Sequence, residues 1–185
     1  MRIIAGRYKS RQLKTLRGAH TRPTSDRLRE TLFNVLGPAV AGSVAADCYA
    51  GSGAVGLEAL SRGAEWVYFL ENHRPAVKVI GENLKRFEIE TGAEILPFDA
   101  LAGLGELERR GVRLDLVFLD PPYQAAEEYD RALDWLGCSS LLAPEAWVVA
   151  EHSRRGTLKE TYGALARIRA LRQGDAVLSF FRPSG

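Results

Sequence analysis

Hydrophobic and polar positions change rhythm along this chain, and each change marks a different kind of element. Over residues 2–16, short apolar stretches flank Gly6, and basic residues fall on the turn and outer face, which predicts two short strands. Pro23 and Thr24 then introduce a helix. Leu28, Leu32, Phe33, Val35 and Leu36 give it an apolar stripe, Asp26 sits in its first turn, and Gly37-Pro38 stops it. This helix is expected to carry Arg22, Arg27 and Arg29 near its beginning.

From Ser43 the pattern becomes strand and helix in alternation. Strands are predicted at Val44–Tyr49, Trp66–Leu70, Ala93–Pro97, Leu114–Leu119 and Ala146–Glu151, with helical segments near 54–62, 74–87, 100–110 and 126–137. Such alternation implies right-handed crossovers and a mainly parallel sheet. The chain ends differently. Ala164–Leu171 and Ala176–Phe181 are joined by Arg172–Asp175, a hairpin-like pair that belongs at the edge of that sheet. Trp66, Trp135 and Trp147 lie in apolar segments and are expected in the core.

Composition sets bounds on what such a chain does. Its 185 residues suit one domain, with residues 1–40 an attached extension and 41–185 the core. The longest apolar runs fall far short of the roughly 20 residues that cross a bilayer, and Met1–Gly6 lacks the apolar stretch of a signal peptide. A cytosolic protein without membrane contact is the expectation, and a monomer the default. Cys48 and Cys138 form no CxxC pair, and neither follows a proline, which discounts cysteine-based attack on a ring carbon. His20, His73 and His152 have no ligand spacing, so no metal is expected.

Charge sharpens the picture. Residues 1–35 hold nine basic side chains against Asp26 and Glu30, a net of +7, while the other 150 residues hold 16 basic and 21 acidic, a net of −5. A positive end on an acidic body suits a polyanion, and Arg7, Lys9, Arg11, Arg22, Arg27 and Arg29 are the candidate RNA contacts.

Four constellations carry candidate chemistry. The first, Asp47-Cys48-Tyr49-Ala50-Gly51-Ser52-Gly53-Ala54-Val55-Gly56, ends a strand and opens a helix, the context that gives a GxGxxG pattern meaning. Gly51 and Gly53 let the backbone turn and approach a ligand, and Gly56 permits close packing of helix on strand. Glu71 ends the next strand, where a carboxylate can accept from both hydroxyls of a ribose. Phe98-Asp99 follows the third strand. Asp99 can accept from an adenine amino group or cap the helix that begins at Ala100, and the two roles are compatible. Ala50, Ser52, Asn72 and Ala100 complete the candidate cofactor wall.

The fourth constellation is Asp120-Pro121-Pro122-Tyr123, delivered by an apolar strand to its C-terminal end, where open α/β sheets bind ligands. An exocyclic amino nitrogen is a poor nucleophile because its lone pair is delocalised into the ring. The Asp120 carboxylate and the Pro121 carbonyl are acceptors that can hold its two N–H bonds and turn the lone pair toward a methyl donor. The prolines stiffen that geometry, and Tyr123 offers a ring for an extruded base. An oxidoreductase using NAD shares the glycine pattern but leaves this tetrapeptide unexplained. A noncatalytic RNA-binding factor of the same fold is a further alternative.

At this point the sequence resembles a known family. Arg22-Pro23-Thr24-Ser25-Asp26-Arg27-Leu28-Arg29-Glu30-Thr31-Leu32-Phe33-Asn34 is similar to the RPTxDRxRExLFN signature of the bacterial 16S ribosomal RNA guanine-N2 methyltransferases that modify guanine 966. Asp47 to Arg62 resembles that family's cofactor motif, Asp120–Tyr123 its catalytic motif, and Ile3–Gly6 with Arg11-Gln12-Leu13 its opening. The resemblance implies a Rossmann-like class I α/β methyltransferase fold with a mainly parallel seven-stranded sheet and an antiparallel edge hairpin. It implies S-adenosylmethionine as donor and 16S rRNA, in the 30S subunit or an assembly intermediate, as partner. It places Asp47, Gly51 and Gly53 at the methionine part of the cofactor, Glu71 at the ribose and Asp99 at the adenine. Asp120, Pro121 and Tyr123 fall at the target guanine. Adenine-N6 methylation of DNA or RNA stays open, since the same site can perform it.

Overall fold

The computed structural model describes residues 1–16, 26–121 and 126–184. Helix α1 (Asp26–Leu36) comes first, followed in alternation by β1 (Val44–Cys48), α2 (Ala54–Ser61), β2 (Trp66–Leu70), α3 (Arg74–Arg86), β3 (Ala93–Leu96), α4 (Ala100–Arg109), β4 (Leu114–Leu119) and α5 (Ala126–Cys138). The chain closes with β5 (Leu142–Ser153), β6 (Thr161–Tyr162), β7 (Leu165–Gln173) and β8 (Ala176–Pro183). One sheet of order β3-β2-β1-β4-β5-β8-β7-β6 holds all eight strands. The first five are parallel; β8, β7 and β6 are antiparallel.

The parallel half follows from strands buried on both faces. β1 and β4 read VAADC and LDLVFL, and apart from Val44 and Asp115 each residue of the two is buried. Two apolar clusters flank the sheet. One joins α1 and α2 to residues such as Phe69 and Phe118; the other joins α4 and α5 to Val117, Leu119 and Ala150.

Three details depart from the expectations. Among the described residues the sheet has eight strands rather than seven, the additional one being the two-residue β6, which pairs with β7 through Thr161–Ala166 and Tyr162–Leu165. A strand that short carries no alternation to read. The N-terminal residues do not form two strands: a single antiparallel bridge joins Arg2 and Gln12. Several of their N–H groups are spent on α2 instead. Trp66, Trp135 and Trp147 are half-buried rather than core; Trp147 packs edge-on against Phe180 with Arg182 over its ring.

The sheet order also locates the functional end. From β1 the chain runs outward through β2 and β3, then returns to β4 on the other side of β1. That reversal between β1 and β4 opens a crevice at their C-terminal ends.

Candidate functional site

Leu119 pairs with Cys48 on one side and Ala150 on the other, so Asp120 stands between Tyr49, just past the end of β1, and Glu151, within the last residues of β5. Asp120 is half-buried and Pro121 buried. Tyr129, buried on α5, reaches back beneath this turn. Its Oη lies 2.7 Å from the Glu151 carbonyl oxygen, which accepts its hydrogen bond, and 3.3 Å from that of Pro121. Pro122 and Tyr123 lie outside the described residues.

On the other side of the crevice β1 ends in the glycine loop. Tyr49, Gly51 and Gly53 all have positive φ (62°, 56° and 76°), a region that favours glycine, and the loop turns back at once into α2. Gly56 bears out the packing reading: a Cβ there would come within 2.3 Å of the Phe69 ring. The buried carboxylate of Asp47 accepts the Gly56 N–H at 2.8 Å and braces the loop. Burial pushes its pKa up to about 7, against the lowering effect of that hydrogen bond.

Glu71 meets the loop directly. One carboxylate oxygen accepts the Gly51 N–H and the other the His73 N–H, each at 2.8 Å. A carboxylate has about four acceptor positions, so about two remain for ligand hydroxyls. A cleft of about 450 Å³ opens beside it, lined by Tyr49, Glu71, Asn72, Phe98, Asp99 and Ala100 among others. That volume fits a nucleoside-sized ligand. Phe98, at the cleft's edge, is 42% exposed and offers an apolar ring to an occupant. Asp99 caps α4 by accepting the Ala102 N–H at 2.9 Å, so the capping reading holds while the residue still lines the cleft. Ala50 is buried and Ser52 half-buried in the loop, outside the cleft's lining.

Sequence reasoning missed several residues here. Tyr49 donates to Glu128 Oε2 at 3.0 Å, and Glu128 pairs with Arg131, so α5 closes one wall of the cleft. Burial, then Glu128, drives the Tyr49 phenol pKa upward and keeps it a donor. Local spacing gives no hint of this, because Tyr49 and Glu128 are 79 residues apart.

The basic N-terminal segment is tied to the same loop. Ile4 and Ala5 donate their N–H groups to the two oxygens of Glu58, a fully buried carboxylate on α2 that also holds Arg62. Tyr8 N–H donates to Ser61 Oγ, and Arg7 N–H to the Ser61 carbonyl oxygen. These bonds to α2 add to those across the segment's own turn, where Ile3 N–H donates to the Arg11 carbonyl oxygen, Ser10 N–H to that of Ile3 and Leu13 N–H to that of Met1. Buried Asn83 exchanges two hydrogen bonds with Lys14 and donates also to the Ser52 carbonyl oxygen, which joins segment to glycine loop. Glu58 and Asn83 stand in ordinary helical positions, so nothing marked them in the sequence.

Of the candidate RNA contacts, Arg7, Lys9, Arg11 and Arg27 are exposed. Arg7 and Arg11 lie over the Tyr8 ring, their charged ends 5.3 and 5.6 Å from its centre. Arg22 lies outside the described residues. Arg29 is a correction: it is fully buried, and its guanidinium donates to the Arg2 carbonyl oxygen at 2.6 Å and to Asp26 at 3.0 Å. It locks α1 to the segment. Facing inward on the helix, it offers no surface to a polyanion. No His/Cys/Asp/Glu cluster suited to a metal occurs among the described residues, and no helix there is long and apolar enough to cross a membrane.

Comparison with known proteins gives consistent results. The family model described as Conserved hypothetical protein 95 matches residues 1–182. The chain is 35% identical to YlbH of Bacillus subtilis, provisionally named an rRNA methyltransferase, over 185 residues that cover 100% of both chains. It is 35% identical to ribosomal RNA small subunit methyltransferase D of Escherichia coli over 151 residues, 82% of this chain and 74% of that one. The solved structure of yhhF from Escherichia coli, provisionally named a methyltransferase, aligns with a TM-score of 0.86 at 28% identity over 100% of this chain and 98% of that one.

Proposed function

Since the chain belongs to the Conserved hypothetical protein 95 family and is a methyltransferase relative, we propose that it transfers a methyl group from S-adenosylmethionine to the exocyclic N2 of a guanine in 16S rRNA. The guanine corresponds to guanine 966, and the substrate is the 30S particle or an assembly intermediate. The observation that carries this reading is the position of Asp120 and the Pro121 carbonyl between the glycine loop and the end of β5. On this reading, these two acceptors would receive an amino group brought to a donor held in the Glu71 cleft.

When bound, S-adenosylmethionine supplies a methyl group made electrophilic by its sulfonium. The protein's own groups do the rest. Glu71 uses its remaining acceptor positions for ribose hydroxyls, while Phe98 packs on the adenine and Asp99 accepts its amino group. Asp47 keeps the loop in shape through Gly56. Asp120 and Pro121 hold the two N–H bonds of the target nitrogen, which directs its lone pair out of the ring's conjugation and along the line of attack. As the new N–C bond would form, the sulfur–methyl bond would break and the demethylated thioether would leave, while the nitrogen would pass one proton along its hydrogen bond to the Asp120 carboxylate, which would release it to solvent. Tyr129 steadies the Pro121 turn from below. No covalent intermediate is required; placement and charge complementarity carry the rate.

The test is radiolabelled methyl transfer to 30S subunits that lack the modification, followed by mass spectrometry of the digested rRNA. One N2-methylguanosine at a single site is expected. Label on an adenine N6, or none on RNA, would overturn the assignment.

A further inference from the structure

The net charge of −5 outside the first 35 residues conceals a second division. Residues 152–185 hold seven basic side chains (Arg154, Arg155, Lys159, Arg167, Arg169, Arg172, Arg182) against Glu160 and Asp175, a net of +5. Residues 36–151 hold nine basic and 19 acidic, a net of −10. The positive charge at the C-terminal end is not spread evenly over the fold. Arg154, Arg167, Arg169 and Arg172 line one groove of about 430 Å³, together with His152 and one acidic residue, Glu160.

Three observations suit this groove to an anionic chain. First, its charges are available. Arg167 is paired with Glu160 and Arg182 with Glu145, whereas Arg154, Arg169 and Arg172 are exposed and have no carboxylate within ion-pair distance among the described residues. Second, its floor is neutral and fixed. His152 is buried with Nε2 2.9 Å from Ser179 Oγ, and burial pushes its pKa down, which leaves it uncharged at neutral pH. A register shift between Arg167 and Arg169 turns Ile168 and Arg169 outward onto one wall.

Third, the groove borders the proposed methylation site. Ser153 pairs with Ala176, and Gln173 with Ala176, so the β7–β8 turn lies at the same end of the sheet as Asp120. The His152 ring packs edge-on against Tyr129, centres 6.2 Å apart, and Tyr129 is the residue beneath the Pro121 carbonyl. The N-terminal segment lies on the α2 and α3 side of that site; the groove lies on the β5 and β8 side.

We infer that this groove is a second polyanion site, which takes the phosphodiester backbone of the RNA strand beside the target nucleotide. The inference rests on the RNA substrate proposed above. Phosphate contacts position a nucleic acid without reading its sequence, and contacts on both sides of a target fix its register. A bland alternative exists: beyond β6 the strand β7 is an open edge, and basic side chains commonly guard such edges against pairing with other chains. The two readings part on measurement. Edge protection predicts aggregation when the charge is removed and no change in RNA affinity.

The experiment compares the full-length protein with the triple variant Arg154→Ala, Arg169→Ala, Arg172→Ala, measuring binding to unmethylated 30S subunits across a salt series. Affinity should fall at least tenfold near physiological salt, and the slope of log K against log salt should flatten by about 2–3, roughly one for each phosphate no longer neutralised. Cofactor affinity and kcat at saturating substrate should not change. The triple arginine-to-lysine variant, which keeps the charges, should restore the slope, and it also answers any loss of fold in the alanine variant. Unchanged affinity and slope in the triple alanine variant, where the wild-type enzyme methylates rRNA, would overturn the groove alone. Groove-dependent binding by a protein that transfers no methyl group would instead remove the proposed activity and leave the groove standing.

Discussion

The proposed catalytic end of the parallel sheet and the N-terminal basic segment are joined through Asn83 at the glycine loop, yet they are held in opposite ways. Asp120, Glu71 and the glycine loop stand at the ends of strands whose backbone pairs continuously with its neighbours. Residues 1–16 have one bridge and a few backbone hydrogen bonds of their own, and side chains of α2 and α3 fix them to the body of the fold. The first region is positioned by local sequence and regular pairing. The second is positioned by three polar side chains of the core, Glu58, Ser61 and Asn83, together with Ile3, Tyr8 and Leu13 buried beneath it. Chemistry placed on strand ends resists single surface changes, whereas a segment held by a few buried polar groups can be released by one substitution.

The largest expected effect tests the first region. Asp120→Ala should lower kcat by about 10²–10³-fold, the scale on which a single well-placed polar group in a reaction site acts. Calorimetric cofactor affinity should stay near wild type, since Asp120 does not line the Glu71 cleft. Retained methyl transfer would show that the amino group is not clamped there.

Next comes the anchor of the segment. Glu58→Ala removes the acceptor for two backbone N–H groups and leaves Arg62 without its ion pair, a loss of about 3 kcal/mol. Thermal unfolding should shift down by several degrees, and binding to 30S subunits should weaken while cofactor affinity holds. Equal loss of both affinities would mean that segment and loop act as one unit, coupled through Asn83 and Ser52, rather than as two regions held separately. Gly6→Ala provides a second route to release, because the new Cβ would lie 1.8 Å from the Ser61 carbonyl oxygen.

The smallest effect belongs to the surface of the segment. Replacing Arg7, Lys9 and Arg11 by Ala should leave stability and kcat unchanged and flatten the salt dependence of 30S binding by about 2–3. Filter-binding measurements across a salt series read this directly. An unaltered slope would return those residues to an ordinary solvated surface and leave RNA attraction to the groove beside β7.

Much of the core could be read in advance because its signals are local. The five parallel strands and four intervening helices follow from apolar periodicity, and their observed ends lie within about two residues of those expected, apart from β5. β5 begins at Leu142, ahead of a register shift, and only its regularly paired part had shown as a strand. Gly56 and the capping role of Asp99 were legible because each concerns the local turn from strand into helix. Arg29 was misread for the opposite reason. On a basic stretch it looks like its neighbours Arg27 and Arg22, and only the docking of α1 on the N-terminal segment turns it inward.

By itself the sequence determined the alternation of strands and helices, the turn at the glycine loop and the delivery of Asp120-Pro121 to a strand end. Backbone sterics and hydrophobic periodicity act over a few residues, and their result does not wait for distant partners. Only the tertiary structure decided which polar groups are buried and which charges remain available. Glu58 and Arg29 became structural, Asp47 came to hold Gly56, and Arg154, Arg167, Arg169 and Arg172 came together around one groove. Burial of a polar group depends on what packs against it from elsewhere in the chain, and charge acts through space rather than along the sequence.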